Sequence, residues 1–427
     1  MRPRRIAGMF LMLATVVALA ACGGGGGGGG GASKGGGGGK TLSPSDAENP
    51  SGNITWCIGK DTTGAFSQMV KLYNAQNNGS KAKLIELPTA ADQQRTQQIQ
   101  RLRAKSPECD VLGIDTIWTA EYSSQGWIYD LTKVINDRKS DFIKSTIDTA
   151  KYNGKYWAVP FNTNAGFLYY RTDEIPSKPT TWQQVYNEAK TKHIVYQGAR
   201  YEGLTVNFLE LLYSAGGKVL SDDGKTVEID SPEAKDVLTF MANGIKDGAA
   251  PRSNLTYMEQ ESKEAWFAGK AAFLRNWPYV YAEAKTSPIK GKWAITTLPQ
   301  WQGGTAAGVI GGYNLAISVY SKHPEAALAF VDFVTQPKQQ VTMATKTSLP
   351  PVLTSTYDNA AVKKALPFAP ELEKAVEQAK PRPISPVYPQ INEAINENVY
   401  SALQGNTSPA SALKKAKSQI ERALKTF

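Results

Sequence analysis

The side chains best suited to chemistry in this 427-residue sequence are aromatic rings placed beside chain breakers. Trp118 follows the end of a strand-like run, Trp277 and Tyr279 flank Pro278, and Tyr313 follows Gly311-Gly312. Flat aromatic faces pack on the C–H surfaces of sugars, while carboxylates, amides and guanidinium groups take the hydroxyls. Any one of these rings could equally be core packing. Their shared place just beyond strand ends favours binding, because ligands of open α/β sheets sit there.

Catalysis is poorly supplied. Of the two histidines, His323 precedes a helix-starting proline and His193 closes a helix, and neither belongs to a zinc or relay motif. There is no G-x-S-x-G elbow, and Gly303-Gly304 lacks the lysine of a phosphate loop. Glu259 and Glu261 are candidate paired carboxylates for glycoside hydrolysis, but spacing along the chain does not give their separation. Asp222-Asp223-Gly224 lacks the ligand spacing and closing glutamate of a calcium loop, so it reads as a turn. The expectation is a receptor with no cofactor, no metal and no catalytic residue. A surface glycoside hydrolase or adhesin is the alternative of another class.

The elements that must position these residues alternate in period. Ile54–Ile58 reads as strand, Phe66, Met69, Val70 and Tyr73 recur at helical spacing, and Lys83–Leu87 is strand again. A helix through Gln97, Arg101 and Lys105 leads to the strand Asp110–Ile114. Such a β-α-β-α-β opening predicts a parallel, doubly wound sheet. Further on come a hairpin over Lys151–Val159, a strand over Gly166–Arg171, and a helix from Trp182. Hairpin Leu220–Ile229 follows, and Ser231-Pro232 and Pro324 then open two more helices.

The N-terminus decides the compartment. Arg2, Arg4 and Arg5 precede the apolar run Ile6–Ala18, which ends in Leu19-Ala20-Ala21-Cys22. This is the order of a lipoprotein signal, residues 1–21, with Cys22 as the lipidated residue. A glycine-rich stretch, residues 22–52, is expected to be a flexible tether. Residues 53–427 exceed what a single core usually serves, so two lobes are expected. The formal charge of +10 falls by three when the leader arginines leave, and the remaining basic residues are scattered. No nucleic-acid partner is expected. An oxidising exterior permits a bridge between Cys57 and Cys109, with two separately buried thiols as the alternative.

Several segments together are familiar. Lys270–Tyr279 (KAAFLRNWPY), Leu298-Pro299 and Gly308–Tyr313 resemble the maltose-type extracellular solute-binding proteins of carbohydrate ABC importers. Pro160–Gly166, Leu168–Arg171 and Asp110–Asp115 with Trp118 fit the same family, and the resemblance covers Asn53 to Phe427. Asn276–Tyr279 and Arg382–Pro386 resemble the trehalose/maltose-binding branch most. The resemblance implies a two-lobe α/β fold of the periplasmic-binding-protein kind (type II), hinged around a ligand cleft. It places residues 53–163 and 304–350 in the N-terminal lobe, and 164–303 and 351–427 in the C-terminal lobe. It implies a monomer that binds a disaccharide such as trehalose or maltose, or else another oligosaccharide or a polyol. The lipid-anchored receptor would deliver its ligand to a membrane permease from the extracellular or periplasmic side.

Implied ligand contacts are Asp115, Asn164, Trp277, Tyr279, Tyr313 and Arg382, with Trp118, Arg95 and one of Glu259 and Glu261 as further candidates. Asn164 stands where relatives often carry aspartate, and Tyr313 where they often carry tryptophan. The family's glutamate in the first strand-to-helix loop has no match in Asp61–Gly64.

Overall fold

The alternating periods at the start of the chain become β1 (Gly52–Gly59), α1 (Ala65–Asn74), β2 (Ser80–Leu87), α2 (Ala91–Arg103) and β3 (Val111–Asp115). β1 pairs in parallel with both β2 and β3, through Gly52↔Ser80 and Trp56↔Val111. The stripe Phe66, Met69, Val70 and Tyr73 is the buried face of α1, set against Trp56, Phe161 and Phe330. The computed structural model describes residues 40–221 and 224–426.

The middle of the chain supplies β4 (Val159–Asn164), β5 (Phe167–Arg171), α3 (Trp182–Lys192), β6 (Ile194–Val195) and α4 (Glu202–Ser214). Next come α5 (Pro232–Lys246), α6 (Glu259–Phe267), β7 (Phe273–Asn276), β8 (Trp293–Thr297) and β9 (Gly311–Ile317). The last helices are α7 (Pro324–Val334), α8 (Pro337–Thr347), α9 (Ala369–Gln378), α10 (Tyr388–Leu403) and α11 (Pro409–Leu424). Local chemistry explains their ends. Ser231 Oγ accepts from Ala234 N at 3.3 Å ahead of Pro232, and Gly248, at φ 80°, turns the chain away after α5.

Two sheets result. One runs β2-β1-β3-β9-β4, the other β8-β5-β7-β6. The chain leaves the first sheet after β4, builds the second, and returns with β9 antiparallel between β3 and β4. Each sheet has its own core: Trp56, Phe161, Leu315 and Phe330 in the first, and Leu168, Phe208, Leu238, Ile395 and Ile420 in the second. This is the two-lobe α/β architecture. Asn153 and Gly154, both at positive φ, turn the Lys151–Tyr156 hairpin. A bridge joins Leu220 to Val227, while Asp222 and Asp223 at its turn lie outside the described residues.

The folded body begins earlier than the composition of Thr41–Gly52 suggests. Leu42 N donates to Asp130 O at 3.1 Å and Asp130 N donates to Lys40 O at 2.8 Å. The Leu42 side chain is buried in the first core, and Pro44–Ala47 forms a 3-10 turn. Leu42, the partly buried Ala47 and satisfied backbone groups dock a segment that by composition alone reads as tether. The expected leader, Cys22 and the glycine tract through residue 39 lie outside the described residues. Cys57 of β1 and Cys109, just before β3, are joined as a disulfide with Cα atoms 5.6 Å apart. Among the described residues no helix is long and apolar enough to cross a membrane.

Candidate functional site

Three strand registers assemble the cleft. Tyr313 lies opposite Asp115 across β9 and β3, Gly311 opposite Asn164 across β9 and β4, and Phe167 opposite Asn276 across β5 and β7. Asp115, Asn164, Tyr313 and Trp277 therefore converge at strand ends and line one cleft. Gly312 makes the convergence possible. Its φ is +119°, and a Cβ there would stand 2.2 Å from Asn162 O. Asn162 Oδ1 in turn accepts from Tyr313 N at 2.9 Å.

The aromatic wall is held from behind. Arg275 lies under the Trp277 ring, its guanidinium carbon 4.2 Å from the centroid. That guanidinium grips Glu210 with two bonds, Nε to Oε2 at 2.7 Å and Nη2 to Oε1. It also donates to Gln197 Oε1 at 2.8 Å. Asn276 Oδ1 accepts from Trp277 N, and Tyr169 Oη donates to Trp277 O, each at 2.8 Å. With backbone and one face fixed, Trp277 stands half-buried at the cleft edge beside Gly311, whose Cβ would meet the indole at 3.6 Å.

The polar floor centres on Arg382, which is buried. Its Nη2 donates to Asp115 Oδ1 at 2.6 Å and to Thr116 Oγ1 at 3.1 Å, and its Nη1 to Glu202 Oε1 at 2.8 Å. Burial works against the guanidinium charge, but Asp115 and Glu202 outweigh it and hold Arg382 firmly protonated. Tyr388 Oη donates to the same Glu202 Oε1 at 2.6 Å. Burial pushes the Glu202 carboxyl up to about 8, Arg382 opposing the rise and Asp92 and Asp115 adding to it. Glu259 is also raised by burial, against the hydrogen bond that Tyr201 Oη gives it at 2.7 Å. Asn164 Oδ1 is buried with no hydrogen-bond partner among the described residues.

A cleft of this kind between two α/β lobes is what a two-lobed receptor needs. The profile of the bacterial extracellular solute-binding proteins matches residues 59–341. The chain belongs to this family. It is a solute-binding protein, not an enzyme, and the family acts outside the cell or in the periplasm. A probable ABC transporter-binding protein of Deinococcus radiodurans is 33% identical over 372 residues, 82% of this chain and 88% of that protein. Maltose-bound MalE3 of T. maritima matches with a TM-score of 0.83 and 32% identity, over 87% of this chain and 99% of that one. The GacH receptor of Streptomyces glaucescens, solved unliganded and in complex with acarbose, gives a TM-score of 0.79 over 88% of this chain and 99% of its own. At 21% identity, it speaks for the fold alone.

In this solute-binding protein the residues named from sequence divide cleanly. Asp115, Asn164, Glu259, Glu261, Trp277, Tyr279, Tyr313 and Arg382 all line the cleft. Glu261 does so while its Oε2 accepts from Met258 N at 3.0 Å, capping α6. Trp118 does not line it. That ring is buried and stacks on Tyr122 at 6.2 Å, one turn further along the chain. Arg95 is also outside the lining, because Glu121 takes its guanidinium, with Nε to Oε2 at 2.8 Å. Sequence reasoning missed Gln94, Tyr201, Glu202 and Gln260, which line the cleft. Asp61 lines it too, though its carboxylate is engaged by Thr63 N at 2.8 Å and Phe66 N at 3.0 Å. Only Tyr201, an aromatic just ahead of a helix, carried a signal of the kind used to pick the others.

Proposed function

We propose that this solute-binding protein captures an uncharged disaccharide, trehalose or maltose ahead of other α-glucosides, and hands it to an ABC permease. The observation that carries this reading is the pairing of surfaces in the cleft. One wall is an indole face backed by a guanidinium, and the floor is an Asp–Arg–Glu set in which one guanidinium bonds both carboxyl groups. Such a cleft offers stacking and directional hydrogen bonds, and its lining, with Asp61, Asp115, Glu202, Glu259 and Glu261 against Lys60 and Arg382, disfavours an anionic ligand. Asn164 Oδ1, buried and unpartnered, suits a sugar hydroxyl donor. The T. maritima relative with maltose bound supports the same class of ligand. Closure of the lobes on the sugar would be a hinge motion, and micromolar affinity, about −8 kcal/mol, permits both capture and release. We further propose that Cys22 carries lipid and keeps the receptor at the membrane surface as a monomer.

Calorimetric titration with trehalose, maltose, cellobiose, sorbitol and glucose tests the ligand. Saturable heat with trehalose or maltose, lost in Trp277→Ala, is expected. Silence from both sugars would overturn the assignment, and sorbitol binding alone would move it to polyols. For the anchor, Cys22→Ala should shed the protein from membranes, and unchanged membrane retention would refute lipidation.

A further inference from the structure

Glu202 has an uneven set of partners. Arg382 Nη1 and Tyr388 Oη both donate to Oε1, at 2.8 and 2.6 Å. Oε2 is buried and has no hydrogen-bond partner among the described residues. An ionised carboxylate in a buried site gains by spreading its donors over both oxygens, as Glu210 does with Arg275. With both donors on Oε1, nothing offsets negative charge on the buried Oε2, which favours a proton there, and the resulting O–H would have its acceptor in whatever enters the cleft that Glu202 lines.

Charge balance around the group agrees. α2 presents Asp92, whose Oδ2 accepts from Glu202 N at 3.2 Å across the lobe boundary. Asp115 faces it from the end of β3, Arg382 from the segment before α10, and Tyr388 from α10 itself. Arg95 and Glu393 act on Asp92, but Arg95 is bonded to Glu121 and Glu393 to Arg200. Three carboxyl groups thus share one committed cation, and burial lifts both Asp92 and Glu202. With Glu202 neutral, Arg382 faces two carboxylates instead of three, Asp115 bonded to it and Asp92 on the backbone of Glu202. With Glu202 ionised, like charges from opposite lobes face each other beside the cleft.

We infer that Glu202 is a positioning residue that works as a neutral acid, fixing Arg382 between the lobes, and that its ionisation loosens the grip of the cleft on its ligand. This rests on the cleft's being the ligand site, as proposed above. Nothing in it requires a particular sugar.

Two measurements on the purified protein test it. Infrared titration without ligand should give a protonated-carboxyl band at neutral pH that is absent in Glu202→Gln. The band should bleach with a midpoint of about 8, and the midpoint should fall in Asp92→Asn, which removes a like charge. No such band in the wild type, or an unmoved midpoint in Asp92→Asn, overturns the inference even if Glu202→Gln does not fold. Titration with trehalose and maltose across the same range should show wild-type affinity falling by up to about tenfold per pH unit above the midpoint, with Glu202→Gln flat. Parallel profiles for the two proteins also overturn it. If neither sugar binds at any pH, the sugar assignment falls, and the infrared titration still decides the state of Glu202.

Discussion

Arg275 supports Trp277: its guanidinium sits 4.2 Å below the indole ring while holding the buried carboxylate of Glu210. Both charged groups are almost wholly shielded from solvent. A buried pair of this sort is weak evidence for stability, since well-packed apolar residues often do as well. Its position under a cleft-lining ring gives it a different use. Arg275→Met alone should cost roughly 3–5 kcal/mol, because Glu210 is left buried and unpaired. Arg275→Met with Glu210→Leu should recover most of that stability yet bind the ligand about tenfold more weakly, as Trp277 loses its backing. Denaturant unfolding and calorimetry on the two variants separate the effects.

Gly312 is the tightest backbone approach in the cleft. Gly312→Ala would set a methyl 2.2 Å from Asn162 O at a φ of +119°. Relief requires β9 and β4 to part, which moves Tyr313 away from Asn162 and Gln94. A loss of roughly 2 kcal/mol or more is expected, with weakened binding. The melting temperature checks the first and titration the second.

The Cys57–Cys109 bridge closes a loop with a sequence separation of 52. Replacing both cysteines with serine should lower stability by about 2–5 kcal/mol. The bridge lies in the apolar cluster with Leu87, Leu112 and Trp118, away from the cleft lining, so affinity at low temperature should be unchanged. Unfolding and binding measured with and without reductant distinguish the two outcomes.

Glu202 also makes stability depend on pH. Its folded value of about 8 stands above the usual 4.5. Between those values the folded protein holds a proton that the unfolded chain has released. Stability from this group is therefore complete below about pH 4.5 and declines as pH rises to about 8, by at most ~1.4 kcal/mol per pH unit. Glu202→Gln should gain on the wild type across that window, then run parallel above it. Urea midpoints for both proteins across the window check this.

Much of the fold was legible because its signals are local. The stripe of α1, the Ser231-Pro232 start and the Asn153-Gly154 turn each depend on neighbours within a few residues. The aromatic wall was legible for a similar reason, since Trp277 and Tyr279 flank a proline at the end of a strand. Glu202 was not. It opens a helix whose every residue is buried, and its partners Arg382 and Tyr388 lie 180 and 186 residues away. Nothing nearby marks it as different from an acid on a solvated face. Trp118 misled for the converse reason. It stands beyond a strand end, as a ligand contact would, but Tyr122 covers it from the next turn. Thr41–Gly52 looked like tether because its docking rests on Leu42, Ala47 and backbone hydrogen bonds, which composition does not register.

Arg382 reaches Asp115 across 267 positions of sequence. The cation that reconciles Asp115 with Glu202 is thus among the last parts of the chain to be made and threaded out of the cell. A product cut short before that point would hold every strand of the two large sheets, yet it would lack Arg382 and also α10 and α11, whose Ile391, Ile395 and Ile420 fill the second core. The part that joins the two acids and the part that completes a lobe therefore arrive together.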